Sequence, residues 1–123
     1  MAPYRSDESK SGEQRQDLRY TLQVRAGVTG GGKTYWGSLS NLSRTGVAMS
    51  LRQQLRPNLS VTILFCLHSA DGREVTESLA AKLIWQLGGK AGFELEPPLK
   101  GRSPAMLSAP YLSAFLIEKE SGR

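Results

Sequence analysis

The chain has little of the chemistry on which most enzymes depend. Its 123 residues include one cysteine and one histidine. A single thiol cannot form an intramolecular disulfide, and His68 has no cysteine or histidine near it at the spacing of a metal site. No nucleophile, base and orienting acid stand out as a set. The composition therefore predicts no catalytic activity, no bound metal and no cofactor.

Long hydrophobic runs are also missing. No apolar stretch approaches the ~20 residues that a helix needs to span a bilayer, and the N-terminus lacks the apolar region of a signal peptide. We therefore expect a cytoplasmic protein, or a cytoplasmic module of a larger one, with no direct membrane insertion. Cys66 lies within the apolar run 61–67, which favours a buried, inert thiol.

Length and charge narrow the possible partners. A chain of 123 residues suits one domain with a single core. Sixteen basic and eleven acidic residues give a net charge of +5 and a pI near 9.7. This balance favours an anionic partner. Charge alone leaves nucleic acid, nucleotide and acidic lipid open.

The hydrophobic pattern predicts a β body between two terminal segments. Residues 1–13 are polar, charged and small, which predicts a flexible arm. Apolar and polar residues alternate from Tyr20 to Ala26, the pattern of a half-buried strand. Further strands are predicted over 35–42, 47–51, 61–68, 75–85 and 91–95. Six strands with short links, within residues 14–100, favour a barrel or a sandwich.

The last segment, residues 101–123, follows a different pattern. A proline-containing stretch up to Pro104 predicts an irregular linker. Pro110 can occupy the first turn of a helix, and Tyr111, Leu112, Phe115 and Leu116 then share one face. We expect a short C-terminal helix that packs on the barrel.

Two motifs carry the functional prediction. Arg15 and Arg19 form RxxxR before the first strand, and Asn41, Ser43 and Gly46 form NxSxxG in a later strand-to-strand turn. Arginine offers a planar fork to phosphate oxygens and to guanine O6 and N7. The asparagine carbonyl and the serine hydroxyl can accept hydrogen bonds from guanine. A glycine permits positive φ or close approach of a ligand.

The paired motifs resemble the signature of PilZ domains, the bacterial receptors for cyclic di-GMP. The resemblance extends over roughly residues 13–100, including Val47–Leu51 and Ala81–Trp85. PilZ domains are six-stranded antiparallel β-barrels with a C-terminal helix. The resemblance therefore implies an all-β fold, cyclic di-GMP as the ligand, and both motifs as its binding residues.

Two positions depart from the family pattern. Gln14 stands where many members have a further arginine before RxxxR, which leaves open whether one or two ligands bind. Asn41 stands where aspartate is frequent. Because asparagine is uncharged but keeps an acceptor oxygen, it predicts a weaker contact to guanine.

The predicted function is a receptor domain whose arm becomes ordered on binding cyclic di-GMP and signals to a partner protein or a neighbouring domain. One alternative is a degenerate PilZ-like barrel that binds only protein. Another is a small barrel that binds single-stranded nucleic acid. That mode uses aromatic residues as stacking platforms, whereas the nine aromatics here fall mostly in predicted core positions. We therefore expect no nucleic acid partner. We interpret Trp36 and Trp85 as core or rim packing, although either could flank a guanine.

A competing motif predicts a nucleotide hydrolase. Gly27 to Thr34 match GxxxxGK[ST], the phosphate-binding P-loop. A P-loop needs a helix immediately after the glycines, but the residues from Thr34 to Ser40 are rich in strand and turn formers. We interpret Gly30–Gly32 as the tip of a hairpin instead.

Overall fold

The computed structural model describes residues 18–122. The arm predicted over residues 1–13, Gln14 and Arg15 lie outside this range. The described strands are β1 (Tyr20–Thr21), β2 (Arg25–Gly30), β3 (Lys33–Leu42), β4 (Gly46–Ser50), β5 (Ser60–His68), β6 (Glu74–Leu87) and β7 (Lys90–Leu95). The helices are α1 (Pro104–Ser108) and α2 (Pro110–Glu120).

Six of the strands close into an antiparallel barrel. Their order is β3-β2-β5-β6-β7-β4, and β4 pairs again with β3 to complete the ring. The short β1 adds to the second half of β3. The all-β fold class, a six-stranded antiparallel barrel with a short C-terminal helix, is thereby confirmed.

The first predicted strand is divided in two. The long β3 pairs with β2 along its first half and with β1 and β4 along its second half, and its register with β4 shifts between Leu39 and Asn41. Residues between β1 and β2 still follow β3, because Leu22 donates to the Ser40 carbonyl at 3.2 Å and Leu39 to the Val24 carbonyl at 2.7 Å. Because β3 pairs with different strands along its two halves, it has to bend, and the bulge between Leu39 and Asn41 permits the bend.

A two-residue turn joins β2 to β3. Gly31 and Gly32 occupy it with φ of 62° and 82°, values that glycine adopts without steric cost. Extended antiparallel strands lie on both sides. The hairpin prediction for Gly30–Gly32 is confirmed, and the P-loop interpretation is excluded because no helix follows.

The core fills the barrel and continues beneath the C-terminal segment. In β5, Ile63 and Phe65 are fully buried, while alternate residues face outward. Cys66 is one of the outward residues, paired in register with Thr76 and only half-buried. The prediction of a buried thiol is therefore wrong, because the period of two places Cys66 on the face opposite Phe65.

The C-terminal segment contains one helix more than predicted. The end of the expected linker forms α1, with Pro104 at its first position. In α2, Leu112 and Leu116 are fully buried, Phe115 is half-buried, and Tyr111 is 44% exposed, so the buried face is narrower than predicted. Neither α1 nor α2, nor any other helix between residues 18 and 122, has the length and apolarity to cross a bilayer.

The start of α2 is capped from the barrel. Its N-cap residue, Ala109, has no side-chain acceptor. The Glu77 carboxylate in β6 instead accepts hydrogen bonds from the backbone N–H groups of Tyr111 at 2.6 Å and Leu112 at 2.9 Å. Glu77 is 5% exposed. The buried Glu77 carboxylate thus replaces the missing N-cap side chain, and its negative charge interacts favourably with the positive end of the α2 dipole.

Candidate functional site

The structure brings together one residue from each predicted motif. Arg19 directly precedes β1, and Asn41 lies in β3, the strand that pairs with β1. The Arg19 Nη1 atom donates to Asn41 Oδ1 at 3.1 Å. Both side chains lie on the outer surface of the barrel. Arg15 lies outside the described residues, so its place in the binding site stays a prediction.

Ser43 holds the turn between β3 and β4. It is fully buried, and its hydroxyl accepts hydrogen bonds from the N–H groups of Thr45 at 3.2 Å and Gly46 at 3.0 Å. It also donates to the Gly46 carbonyl at 3.2 Å. The side chain thus satisfies its own turn, the ordinary role of serine in such loops. Its contact to a ligand stays a prediction.

Gly46 is required by the approach of two strands. It begins β4 opposite Glu94 in β7, and a Cβ atom built there would lie 2.6 Å from the Phe93 carbonyl oxygen. Any side chain would push the strands apart. Gly46 does not have a positive φ, so close approach rather than backbone conformation explains the residue.

A row of paired residues extends from Asn41 across the barrel surface. Asn41 pairs with Ala48, Ala48 with Gly92, and Gly92 with Trp85. Directly paired residues of antiparallel strands point to the same face, so these four residues form a strip on the barrel surface. Its floor is made of the small residues Ala48 and Gly92, with Asn41 at the polar end and Trp85 at the aromatic end. A Cβ atom at Gly92 would lie 2.1 Å from Trp85 Nε1, so the indole lies over the glycine.

The strip borders a pocket of about 250 Å³. The residues that line it include Arg19, Gly46, Ile84, Trp85 and Glu94. Ile84 and Trp85 are 52% and 47% exposed. A cation, a carboxylate and an exposed aromatic ring thus border one concave surface, which combines apolar walls with a few polar groups, as ligand sites commonly do.

Sequence reasoning found only part of this surface. It placed Trp36 and Trp85 in the core or at the rim, and both are rim residues that lie over glycines, with Trp36 44% exposed. The contribution of Ala48 and Gly92 depends on the register of β4 and β7, for which the sequence carries no direct signal. Glycines opposite tryptophans are the one pattern that could have indicated it.

The same turn is attached to the C-terminal helix. Arg44, next to Ser43, donates from Nε and Nη2 to the two oxygens of Glu120, each at 2.7 Å, and from Nη1 to the Leu99 carbonyl at 2.5 Å. The bidentate bond and the charge of Arg44 lower the pKa of Glu120, and its carboxylate raises the pKa of Arg44. The pair connects the turn to α2.

Replacing Glu120 with glutamine is expected to lower the free energy of unfolding by about 1 kcal/mol or less near neutral pH, since the pair is partly solvated. A carboxylate with a lowered folded pKa stabilises the fold above its unfolded value and loses that effect as pH falls through its folded value. The difference between wild type and Glu120→Gln should therefore shrink once pH falls below the ordinary glutamate pKa of about 4.3, and vanish at pH values below the lowered folded pKa of Glu120. Urea unfolding of both proteins, near neutral pH and in acid, measures this difference in the free energy of unfolding. A difference that persists in acid would contradict the ion pair as its cause.

A family model and two solved structures relate the fold to known proteins. The model that describes the PilZ domain matches residues 13–107. No curated protein matches the sequence significantly. The PilZ domain of CeSA from a cellulose-synthesizing bacterium is 23% identical with a TM-score of 0.59, over 81% of this chain and 98% of that one.

The inhibitor of motility MotI/DgrA of Bacillus subtilis has the same fold. It is 12% identical with a TM-score of 0.65. The match covers 89% of this chain but 52% of that one, so the chain spans about half the length of MotI/DgrA. At these identities the two structures establish the architecture, while the family model establishes the kinship.

Proposed function

Because the chain belongs to the PilZ domain family, whose members are binding and regulatory domains, we propose that it is a cyclic di-GMP receptor. The observation that carries the proposal is the contact between Arg19 and Asn41 at the edge of the pocket beside Trp85. It joins one residue of each predicted motif, on a surface that also offers an aromatic ring. The proposal includes a non-catalytic role and a cytoplasmic location.

The surface has the groups that a guanine nucleotide requires. Arg19 has five N–H donors, and its hydrogen bond to Asn41 uses one of them. The remaining donors can bind phosphate or the O6 and N7 atoms of guanine. Asn41 Oδ1 has two lone pairs and can accept from guanine while it holds Arg19. The indole of Trp85 offers an edge or face against a base.

The arm would complete the site. A pocket of about 250 Å³ lies below the range of about 300–1,000 Å³ typical of ligand sites. Arg15, four residues before Arg19, would add a second cation from the arm side. Ligand binding would order the predicted arm, residues 1–13, and change the surface seen by a partner protein or a neighbouring domain.

Tryptophan fluorescence distinguishes this surface from the rest of the barrel. Cyclic di-GMP should change the emission of wild type and of Trp36→Phe, and leave Trp85→Phe nearly unchanged, because Trp85 lies at the pocket and Trp36 does not. Both variants keep an aromatic ring, which limits their effect on folding. An equal response from the two variants would contradict the placement of the ligand beside Trp85.

A further inference from the structure

A second row of paired residues crosses the outside of the barrel. Arg25 pairs with Ser38, Ser38 with Ser50, and Ser50 with Lys90. Neighbouring strands lie about 4.8 Å apart, so two serines form a floor between cations whose Cα atoms are roughly 14 Å apart. Serine hydroxyls can donate hydrogen bonds to carboxylates, and the flanking cations attract the negative charge of such carboxylates.

Trp36 borders one end of this row. The Arg25 guanidinium lies 3.9 Å from the centroid of the Trp36 ring, a cation–π contact. The six-membered ring lies against Gly27, where a Cβ atom would be 2.9 Å from it. The indole is therefore held in one orientation while remaining 44% exposed. Tryptophan and arginine are the residues that most often dominate the binding energy of protein interfaces.

Two cavities are lined in part by Trp36. One of about 500 Å³ includes Arg25, and one of about 380 Å³ includes Ser50 and Arg52. None of the described residues that line these two cavities is acidic. A surface with cations, hydroxyl donors and no carboxylate complements negative charge.

We propose that this surface, formed by Arg25, Trp36, Ser38, Ser50, Arg52 and Lys90, binds an acidic segment of a partner protein. Carboxylates would lie over the serine floor between the cations, and an apolar side chain would contact the exposed part of the indole. The inference goes beyond cyclic di-GMP binding, because the surface shares no residue with the pocket at Arg19.

The surface favours a peptide over nucleic acid. Single-stranded nucleic acid binds by stacking successive bases on several aromatic rings. Trp36 is the one aromatic residue among those that line the two cavities in the described chain. A single ring cannot stack successive bases, and the Arg25 guanidinium already contacts this one. A carboxylate needs only the N–H edges of arginine, which a ring contact leaves accessible.

Nuclear magnetic resonance of ¹⁵N-labelled protein tests the proposal with two built-in reporters. The indole N–H signals of Trp36 and Trp85, assigned with the Phe variants, report on the two surfaces separately. A capped synthetic peptide of alternating glutamate and leucine should shift the Trp36 signal saturably and leave the Trp85 signal in place. Arg25→Glu with Arg52→Glu should weaken that binding by about tenfold to a hundredfold.

The matched control reverses the charge of two arginines outside this surface, Arg73→Glu with Arg102→Glu, and changes the net charge by the same amount. It should bind the peptide within about twofold of wild type, since distant exposed charges contribute little. Equal losses in the two double variants would overturn the proposal, as would tighter binding of an oligothymidylate of equal charge at Trp36. Cyclic di-GMP should shift Trp85 instead. If it shifts neither indole while the peptide still binds, the receptor proposal fails and this one stands.

Discussion

Replacing Arg19 with alanine should weaken cyclic di-GMP binding by about tenfold to a hundredfold, and replacing Arg15 should do the same. An arginine that binds guanine or phosphate through two hydrogen bonds contributes about 1–3 kcal/mol, and each 1.4 kcal/mol is a factor of ten. Arg19 also holds Asn41 at 3.1 Å, so its loss releases a second ligand contact. Fluorescence anisotropy with labelled cyclic di-GMP measures the change.

Arg73→Ala is the matched control for these variants. Arg73 is 82% exposed and pairs with Asp71 in the turn between β5 and β6, which the pocket does not include. The Arg73→Ala substitution removes the same charge as Arg19→Ala and should leave the affinity for cyclic di-GMP unchanged. If Arg73→Ala weakens binding as much as Arg19→Ala, the arginines act only through net charge and the assignment of the motif is wrong.

Replacing Glu77 with alanine should lower the free energy of unfolding by about 2–3 kcal/mol, the combined effect of a lost helix cap and of buried donors left without an acceptor. The carboxylate accepts from Tyr111 and Leu112, and Leu112 is fully buried. Water cannot replace the acid there without opening the contact between α2 and the barrel. Chemical unfolding followed by circular dichroism measures the loss.

Two further variants separate capping from charge. Glu118→Ala removes an acid from the exposed part of α2 and should change the free energy of unfolding by less than about 0.5 kcal/mol. Glu77→Gln keeps one acceptor oxygen and should fall between wild type and Glu77→Ala. Equal stability of Glu77→Ala and Glu118→Ala would show that Glu77 does not cap the helix.

The fold could be predicted largely because its strands alternate. In β6, the buried residues Leu79, Ala81 and Leu83 alternate with Ala80 and Lys82 on the outer face, and glycines with positive φ lie in the turns before and after this strand. The division of the first strand could not be predicted, because it depends on β3 pairing with different neighbours along its two halves. Helix α1 also escaped prediction, since five residues are too few for a periodic pattern.

The candidate site could be predicted only where it is contiguous in sequence. The two motifs identified Arg19 and Asn41, which the structure places in contact. The floor and the aromatic wall come from β4, β6 and β7, and the register in which these strands pair is a tertiary property. The attachment of Arg44 to Glu120 joins residues 76 positions apart, and a charged pair at that separation has no local sequence signal.

The central claim is that wild-type protein binds cyclic di-GMP at the surface beside Arg19, Asn41 and Trp85. Isothermal titration calorimetry with cyclic di-GMP tests it most directly, with cyclic di-AMP as the control that keeps the phosphates and changes the bases. We predict saturable binding of cyclic di-GMP, with a stoichiometry of one or two per chain, and much weaker binding of cyclic di-AMP. No saturable heat from cyclic di-GMP, or equal affinity for both dinucleotides, would contradict the account, and the absence of binding would favour a barrel that binds only protein.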